Sequence, residues 1–222
     1  MKILITGGGS EEPIDNVRYI SNFSSGRTAA FFADYFSRKG HTVTLLTSIK
    51  AIKPQAEINT ITYRTFNDLK SALEKECKSL SYDGVIHAAA VCDYSVSSII
   101  VDGNEYPAGS IPKVSGGQEL TIKMKKNPKL VDFIKSWAKD IKLIAFKLTS
   151  QADTEERKKA VKKVFDSTKS SLLCPDYVVS NDLSEITEEK HPCVIYSREM
   201  KAERKTENLE ELSRALEELL EG

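Results

Sequence analysis

Short apolar, β-branched runs recur along the chain with helical periodicity between them, and this alternation limits the fold more than any other feature. The runs are Ile3 to Thr6, Thr42 to Leu46, Gly84 to Val91, Lys142 to Leu148 and Tyr177 to Ser180. Ala29, Phe32, Ala33 and Phe36 stand at i, i+3, i+4 and i+7, one apolar helical face that Gly40 stops. Leu69, Leu73 and Cys77 repeat the pattern in a helix read over Asn67 to Leu80, and Thr154 to Ser167 and Asn208 to Leu220 supply two more. Asn127-Pro128 opens another, with Pro128 at the first helical position and Leu130, Ile134 and Trp137 or Ala138 facing inward. Buried strands alternating with helices predict an α/β fold: a doubly wound, mostly parallel, Rossmann-like sheet. Ser95 to Met124 breaks the rhythm, because glycines, Pro107 and Pro112 separate Ile99-Ile100-Val101 from Leu120-Thr121-Ile122, and reads as an antiparallel excursion. Val194-Ile195-Tyr196 facing Met200 to Lys205 reads as a terminal hairpin. No internal repeat or low-complexity linker divides the chain, so residues 1–222 are expected to form one domain.

That length buries a substantial core. Thirty-two basic residues balance thirty-two acidic ones, so no global field draws the chain to nucleic acid or to a membrane surface. Cys77, Cys92, Cys174 and Cys193 show no C-x-x-C spacing and read as small buried hydrophobes in a reducing compartment. Charged Lys2 leads straight into a strand, unlike a secretory signal, and no apolar run approaches the roughly 20 residues of a membrane span. The expectation is a soluble, cytoplasmic protein.

The first strand-like run ends in Gly7-Gly8-Gly9-Ser10, at the carboxyl end of a strand, where open α/β sheets place ligands. A dinucleotide fingerprint needs a further glycine three residues after the second, but Gly7-x-Gly9-x-x is followed by Glu12 and then Pro13. The second strand ends in Thr47-Ser48, with no acid for a ribose 2′-hydroxyl. The opening therefore favours phosphate over ordinary NAD. Ser24-Ser25-Gly26-Arg27 precedes the first helix and offers hydroxyls and free amides at its positive end. Asn22 offers an amide that can donate to a developing oxygen charge without changing protonation.

Ala88-Ala89-Ala90-Val91-Cys92-Asp93-Tyr94 follows the third strand, where small residues let a flat ring approach the backbone and Asp93 can hold a ribose, a base amino group or a metal. Lys123, Lys125 and Lys126 stand beside the expected start of the helix at Asn127-Pro128, a conflict with its dipole that a phosphate would relieve. Lys159 and Lys163 are i, i+4 neighbours that repel unless an anion lies between them. His41, His87 and His191 have no obvious acid/base partner, and no G-x-S-x-G or H-E-x-x-H motif occurs. Anion binders without a nucleophile suit phosphoryl or nucleotidyl transfer.

The run Gly8-Gly9-Ser10-Glu11-Glu12-Pro13-Ile14-Asp15-Asn16-Val17-Arg18-Tyr19-Ile20-Ser21-Asn22-Phe23-Ser24-Ser25-Gly26 resembles the signature of phosphopantothenate–cysteine ligase, the phosphopantothenoylcysteine synthetase of coenzyme A biosynthesis. Ala88 to Tyr94, Lys113-Val114-Ser115, Glu119 to Met124, Lys126-Asn127-Pro128, Phe146-Lys147-Leu148 and Ser180-Asn181-Asp182 extend the resemblance, in family order, over nearly the whole chain. In many bacteria this synthetase is fused behind a flavin-dependent decarboxylase. This chain resembles the stand-alone form, which implies no flavin and a separate decarboxylase protein.

The resemblance implies that 4′-phosphopantothenate attacks the α-phosphorus of a nucleoside triphosphate, releasing pyrophosphate, and that the amine of L-cysteine then displaces the nucleoside monophosphate. Mg²⁺ is implied with the nucleotide, its protein ligands unassigned. Carried over by motif, Asn22 and Lys113 are the catalytic residues, Asn22 at the acyl-nucleotide and Lys113 also at the nucleotide. The nucleotide positions comprise Gly8, Gly9, Ser24, Ser25 and Gly26. They continue with His87, Ala88, Ala89 and Asp93, then Pro128, Lys129, Leu130 and Val131, and end with Phe146, Lys159 and Lys163. Family members are homodimers, which makes the segment from Ser95 to Met124 a dimerisation excursion. Bacterial members commonly use CTP and eukaryotic ones ATP. Phe146-Lys147-Leu148 and Lys113-Val114-Ser115 lean toward the eukaryotic style, and CTP is the expected co-substrate, with ATP the other choice. Two other readings compete: a Rossmann-type NAD(P)H- or flavin-dependent reductase, resting on Gly7-Gly8-Gly9 alone, and a nucleotide sensor that binds without turnover.

Overall fold

A computed structural model describes residues 1–79, 81–168 and 173–222. The first strand, β1 (Lys2–Gly7), lies between β4 (Thr42–Ser48) and β6 (Gly84–His87), parallel to both. Beyond β4 lies β5 (Asn59–Tyr63), and beyond β6 follow β10 (Lys142–Thr149) and β11 (Tyr177–Asp182), all parallel. The hairpin of β12 (Cys193–Ser197) and β13 (Ala202–Thr206) adds two antiparallel strands. The order is therefore β5-β4-β1-β6-β10-β11-β12-β13. The chain leaves β1 toward β5 and returns to β6 on the other side, so the order reverses between β1 and β6. This reversal opens a crevice at the strands' carboxyl ends.

Alternate residues of each strand feed opposite cores. Ile3 and Ile5 pack with Ile144 under α1 (Arg27–Arg38) and α5 (Leu209–Glu221). Leu4 and Leu143 pack on the other face with α2 (Phe66–Ser79) and α3 (Val131–Trp137). Ala145 and Val178 on that face meet Val161 and Phe165 of α4 (Thr154–Phe165). With helices on both faces the central strands β1 and β6 are buried almost throughout, as a doubly wound sheet requires.

The excursion is a separate three-stranded antiparallel sheet in which β7 (Tyr94–Val101) is flanked by β8 (Asn104–Pro107) and β9 (Leu120–Lys126). Its small core of Val96, Ile99, Val101 and Val114 is shared with Ile14.

Several boundaries differ from the sequence reading. The third strand stops at His87, so Ala88 to Val91 belongs to the loop. Pro128 does not open α3, which begins three residues later at Val131. Lys123, Lys125 and Lys126 lie on β9, away from that helix start, and Lys123 pairs with Glu105 at 2.8 Å. The polar stretch after Gly9 contains a hairpin, β2 (Glu11–Pro13) with β3 (Tyr19–Ser21). Leu80, the last residue expected in the second helix, lies outside the described residues.

Candidate functional site

The turn after β1 meets the serine loop at backbone distance. Gly8 has φ +84° and Gly26 has φ +75°, backbone conformations that glycine adopts without strain. A side chain on Gly7 would collide with Ala29, and one on Gly8 with Ser48. A Cβ on Gly26 would lie 2.5 Å from the Cβ of Ala51, and one on Gly9 2.7 Å from the Asn22 carbonyl oxygen. The Ser21 hydroxyl donates to the Ser10 carbonyl at 2.8 Å, fastening the same two stretches. The Tyr63 hydroxyl shares its proton between the carbonyls of Gly7 and Gly8, at 2.9 and 3.1 Å.

Helix α1 then starts without a side-chain cap at Gly26 and without an acidic residue in its first turn. Its first N–H groups have no intrahelical partner and carry the positive end of the helix dipole. They open onto a cleft of about 1290 Å³, walled by Gly7, Gly8, Asn22 and Ser24 to Ala29.

The opposite wall comes from β6 and the loop after it. His87, Ala88, Ala89 and Asp93 line the cleft. The Thr6 hydroxyl oxygen accepts from Ala89 N at 3.2 Å and is hydrogen-bonded to Nδ1 of His87, 2.8 Å away. Burial pushes the His87 pKa down to about 4, so the ring is neutral near pH 7. The Asn22 amide donates to the Val91 carbonyl at 2.9 Å, which joins the serine loop to this second wall. Asp93 pairs with Lys129 at 2.5 Å, both side chains being more than half exposed.

Pro128 to Val131, Phe146, Lys159 and Lys163 complete the far side. On α4 the outward lysines have acidic partners, Lys158 with Glu155 at 3.0 Å and Lys162 with Asp166 at 2.8 Å. Lys159 and Lys163 face the cleft, and no acidic partner accompanies them among the described residues. The helix is held by a capping box, Asp153 with Glu156. Buried Asp182 fixes the loop before it, accepting from Gln151 N, Ala152 N and the Thr149 hydroxyl at 2.9, 3.1 and 2.7 Å.

Two expected residues are not on the cleft wall. Gly9 turns its edge to Ala90 in an isolated parallel bridge and packs on Asn22, because the hairpin begins there. Lys113 is exposed on the loop between β8 and β9, tied to the excursion rather than to the main sheet. Conversely, Arg27, Asn181 and His191 face the cleft although none of them was assigned a site role. Arg27 donates to the Glu188 carbonyl at 3.0 Å, and Asn181 Nδ2 lies 3.2 Å from His191 Nε2 while its Oδ1 is buried and unpartnered. Burial, assisted by the Arg27 charge, lowers the His191 pKa. The signal for Asn181 was available, since it ends a parallel strand on the side where ligands bind.

Comparisons with known proteins place the chain in a family. A model of the DNA/pantothenate metabolism flavoprotein C-terminal domain matches residues 1–220. The chain belongs to that family. The family resemblance drawn from the motifs therefore holds. The coenzyme A biosynthesis bifunctional protein CoaBC of Thermococcus kodakarensis is 30% identical over 89% of this chain, which covers 45% of that protein. The chain spans less than half the length of the curated relatives it matches first. Among solved structures, the DNA/pantothenate metabolism flavoprotein from Streptococcus pneumoniae has a TM-score of 0.86 and 25% identity, covering 100% of this chain and 98% of that one. A Cab2 variant in complex with phosphopantothenate-cysteine shares the fold, with a TM-score of 0.73 at 19% identity, covering 98% of this chain and 86% of that one. The fold class expected from the sequence is the one found, and it is the fold of these neighbours.

Proposed function

We propose that residues 1–222 form one ligase domain that joins 4′-phosphopantothenate and L-cysteine through an acyl-nucleotide, with CTP as co-substrate and ATP as the other choice. One observation carries the reading. The glycine turn, the Asn22-bearing serine loop, the Asp93 loop and the unpaired Lys159 and Lys163 share a single cleft. The CoaBC relatives support it through their printed role in coenzyme A biosynthesis.

In the first step a substrate carboxylate oxygen bonds to the α-phosphorus, the α–β bridging P–O bond breaks, and pyrophosphate leaves. Lys159, Lys163 and the uncapped N-terminus of α1 offset the negative charge of the phosphates. In the second step the cysteine nitrogen bonds to the acyl carbon, the acyl C–O bond breaks, nucleoside monophosphate departs and the amine loses a proton. Asn22 has one amide hydrogen on Val91 and a second for the acyl-nucleotide oxygen. Neutral His87 lines the cleft without adding charge.

Mg²⁺, when bound with the nucleotide, neutralises phosphate charge. The described residues fit a metal held mainly by phosphates and water. Their one three-donor grouping, His41, Glu217 and Glu221, does not line the cleft. Lys113 is not on its own chain's cleft wall, and we propose that it meets the nucleotide in a homodimer paired through the excursion. A cytoplasmic location and a separate decarboxylase partner belong to the same proposal. No helix among the described residues is long and apolar enough to cross a membrane.

The test is pyrophosphate release on mixing the protein with Mg²⁺, 4′-phosphopantothenate and each of the four nucleoside triphosphates, followed by addition of cysteine. Release with CTP or ATP, and amide product only after cysteine, is expected. Silence with every nucleotide rejects the ligase, and nucleotide binding without turnover would identify a sensor. NADPH or FMN binding in its place would restore the reductase reading.

A further inference from the structure

The hairpin leading to Asn22 and the loop carrying Lys113 are distant in sequence, yet one carboxylate joins them. Asp15 is fully buried. Its Oδ1 accepts from the backbone N–H of Val17 at 2.9 Å and of Arg18 at 2.7 Å. Its Oδ2 accepts from Arg18 Nε and Nη2, at 3.0 and 2.6 Å, and from Val114 N at 3.1 Å, 99 positions away. Arg18 Nη2 donates in addition to the Val114 carbonyl at 2.9 Å. Both backbone groups of Val114 are thus held by one ion pair, and its side chain is buried beside Ile14. Two further bonds, Asn16 N to the Ile111 carbonyl at 3.1 Å and Gly109 N to the Ile14 carbonyl at 3.1 Å, fix the loop on the hairpin.

Lys113 is the residue immediately before Val114, and it is exposed. Its backbone is anchored while its side chain is left to reach a ligand. Apolar packing of Val114 alone would hold the loop down without fixing its rotation. A buried charge is costly unless its partners are placed in register, and here the partners are the Val114 N–H, the Arg18 guanidinium and the N–H groups of Val17 and Arg18 in the turn before β3. We propose that Asp15 is a positioning residue for Lys113, setting that lysine's loop against the hairpin that ends at Asn22. The role in turnover rests on the ligase reading; the role in holding the loop does not.

Two measurements test it. In the unmodified chain the Val114 amide should exchange at least about 100-fold more slowly than those of exposed Gly116 and Gly117. Asp15→Asn should raise tryptic cleavage after Lys113 at least about tenfold while cleavage after Arg214 in α5 stays within about twofold. Equal exchange rates, unchanged cleavage after Lys113, or equal acceleration at both sites would overturn the proposal, with or without activity. For pyrophosphate release, Asp15→Asn and Lys113→Ala should each lower kcat, and the double variant should be no slower than Lys113→Ala alone. Losses that multiply would show that Asp15 acts independently of Lys113 and would overturn it. Should the unmodified chain release no pyrophosphate, the ligase reading falls, and exchange and cleavage alone decide whether Asp15 holds the loop.

Discussion

One amide hydrogen of Asn22 holds the Val91 carbonyl, which in the proposed ligase leaves the other for the acyl-nucleotide. Asn22→Asp cannot donate at all and sets a carboxylate against that carbonyl. It is expected to slow amide formation from the acyl-nucleotide by about 10²- to 10³-fold, the usual cost of losing such a donor. Nucleotide affinity should change much less, and trapping the intermediate by rapid quench would show accumulation relative to product. Asp182 supports a pH prediction. Burial alone would raise its pKa, but the hydroxyls of Ser184 and Thr149 and the N–H groups of Ala152 and Ser184 outweigh burial and hold it well below the usual carboxylate range. A depressed folded-state value gives stability that is present above the unfolded value of 3.8 and is lost as pH falls through the folded one. Asp182→Asn should therefore lower Tm at pH 7, and the gap to the unmodified protein should narrow as unfolding is followed down from about pH 4. A gap independent of pH would contradict this origin. The structural role of Asp182 was invisible in sequence because Thr149, Gln151 and Ala152, 30 to 33 positions earlier, reach it only once β10 and β11 pair.

At the scale of elements, α1 and α4 present positive charge to the cleft by different means, one through an uncapped N-terminus and one through two lysines lacking acidic partners. Lys159→Ala and Lys163→Ala are each expected to weaken nucleotide binding by about tenfold and to flatten its salt dependence. Lys158→Ala and Lys162→Ala, on the paired outer positions, should stay within about twofold by calorimetric titration. Gly26→Ala should destabilise the fold by about 1–3 kcal/mol, because it requires φ +75° and brings a Cβ to 2.5 Å from Ala51, and denaturant melts would measure it. Long periodic segments such as α1, α2 and α5 were legible because their apolar faces repeat over several turns. Strand β5 was missed because it is an edge strand whose Asn59, Thr60 and Thr62 are exposed, leaving no apolar run to read. Strand β8 is exposed throughout, and β2 and β3 are three residues each. The helical start assigned to Pro128 fails because a favourable first-turn residue does not make the preceding loop helical.

For the whole molecule, alternation of strands and helices fixed a parallel sheet, and the glycine turn placed the site at its carboxyl edge. The contribution of the loop from Leu183 to His191 escaped notice, since a loop's place over a cleft depends on tertiary packing rather than composition. The excursion leaves Tyr94, Tyr106 and Met124 exposed by 50%, 37% and 41% on a small sheet with two open edges. Sedimentation velocity is expected to show a homodimer, shifted toward monomer by Met124→Glu, with the circular dichroism unchanged. A monomer at all concentrations would remove the proposed route by which Lys113 reaches nucleotide.

The reversal of strand order between β1 and β6 has a kinetic corollary. Neighbours in the sheet such as Thr6 and His87 are 81 positions apart, and β10 and β11 must dock before the far wall exists. Long-range parallel pairing is slow to form. During refolding, ligand-dependent fluorescence should consequently lag behind the recovery of helical signal, because an incompletely assembled chain has helices but no receptacle.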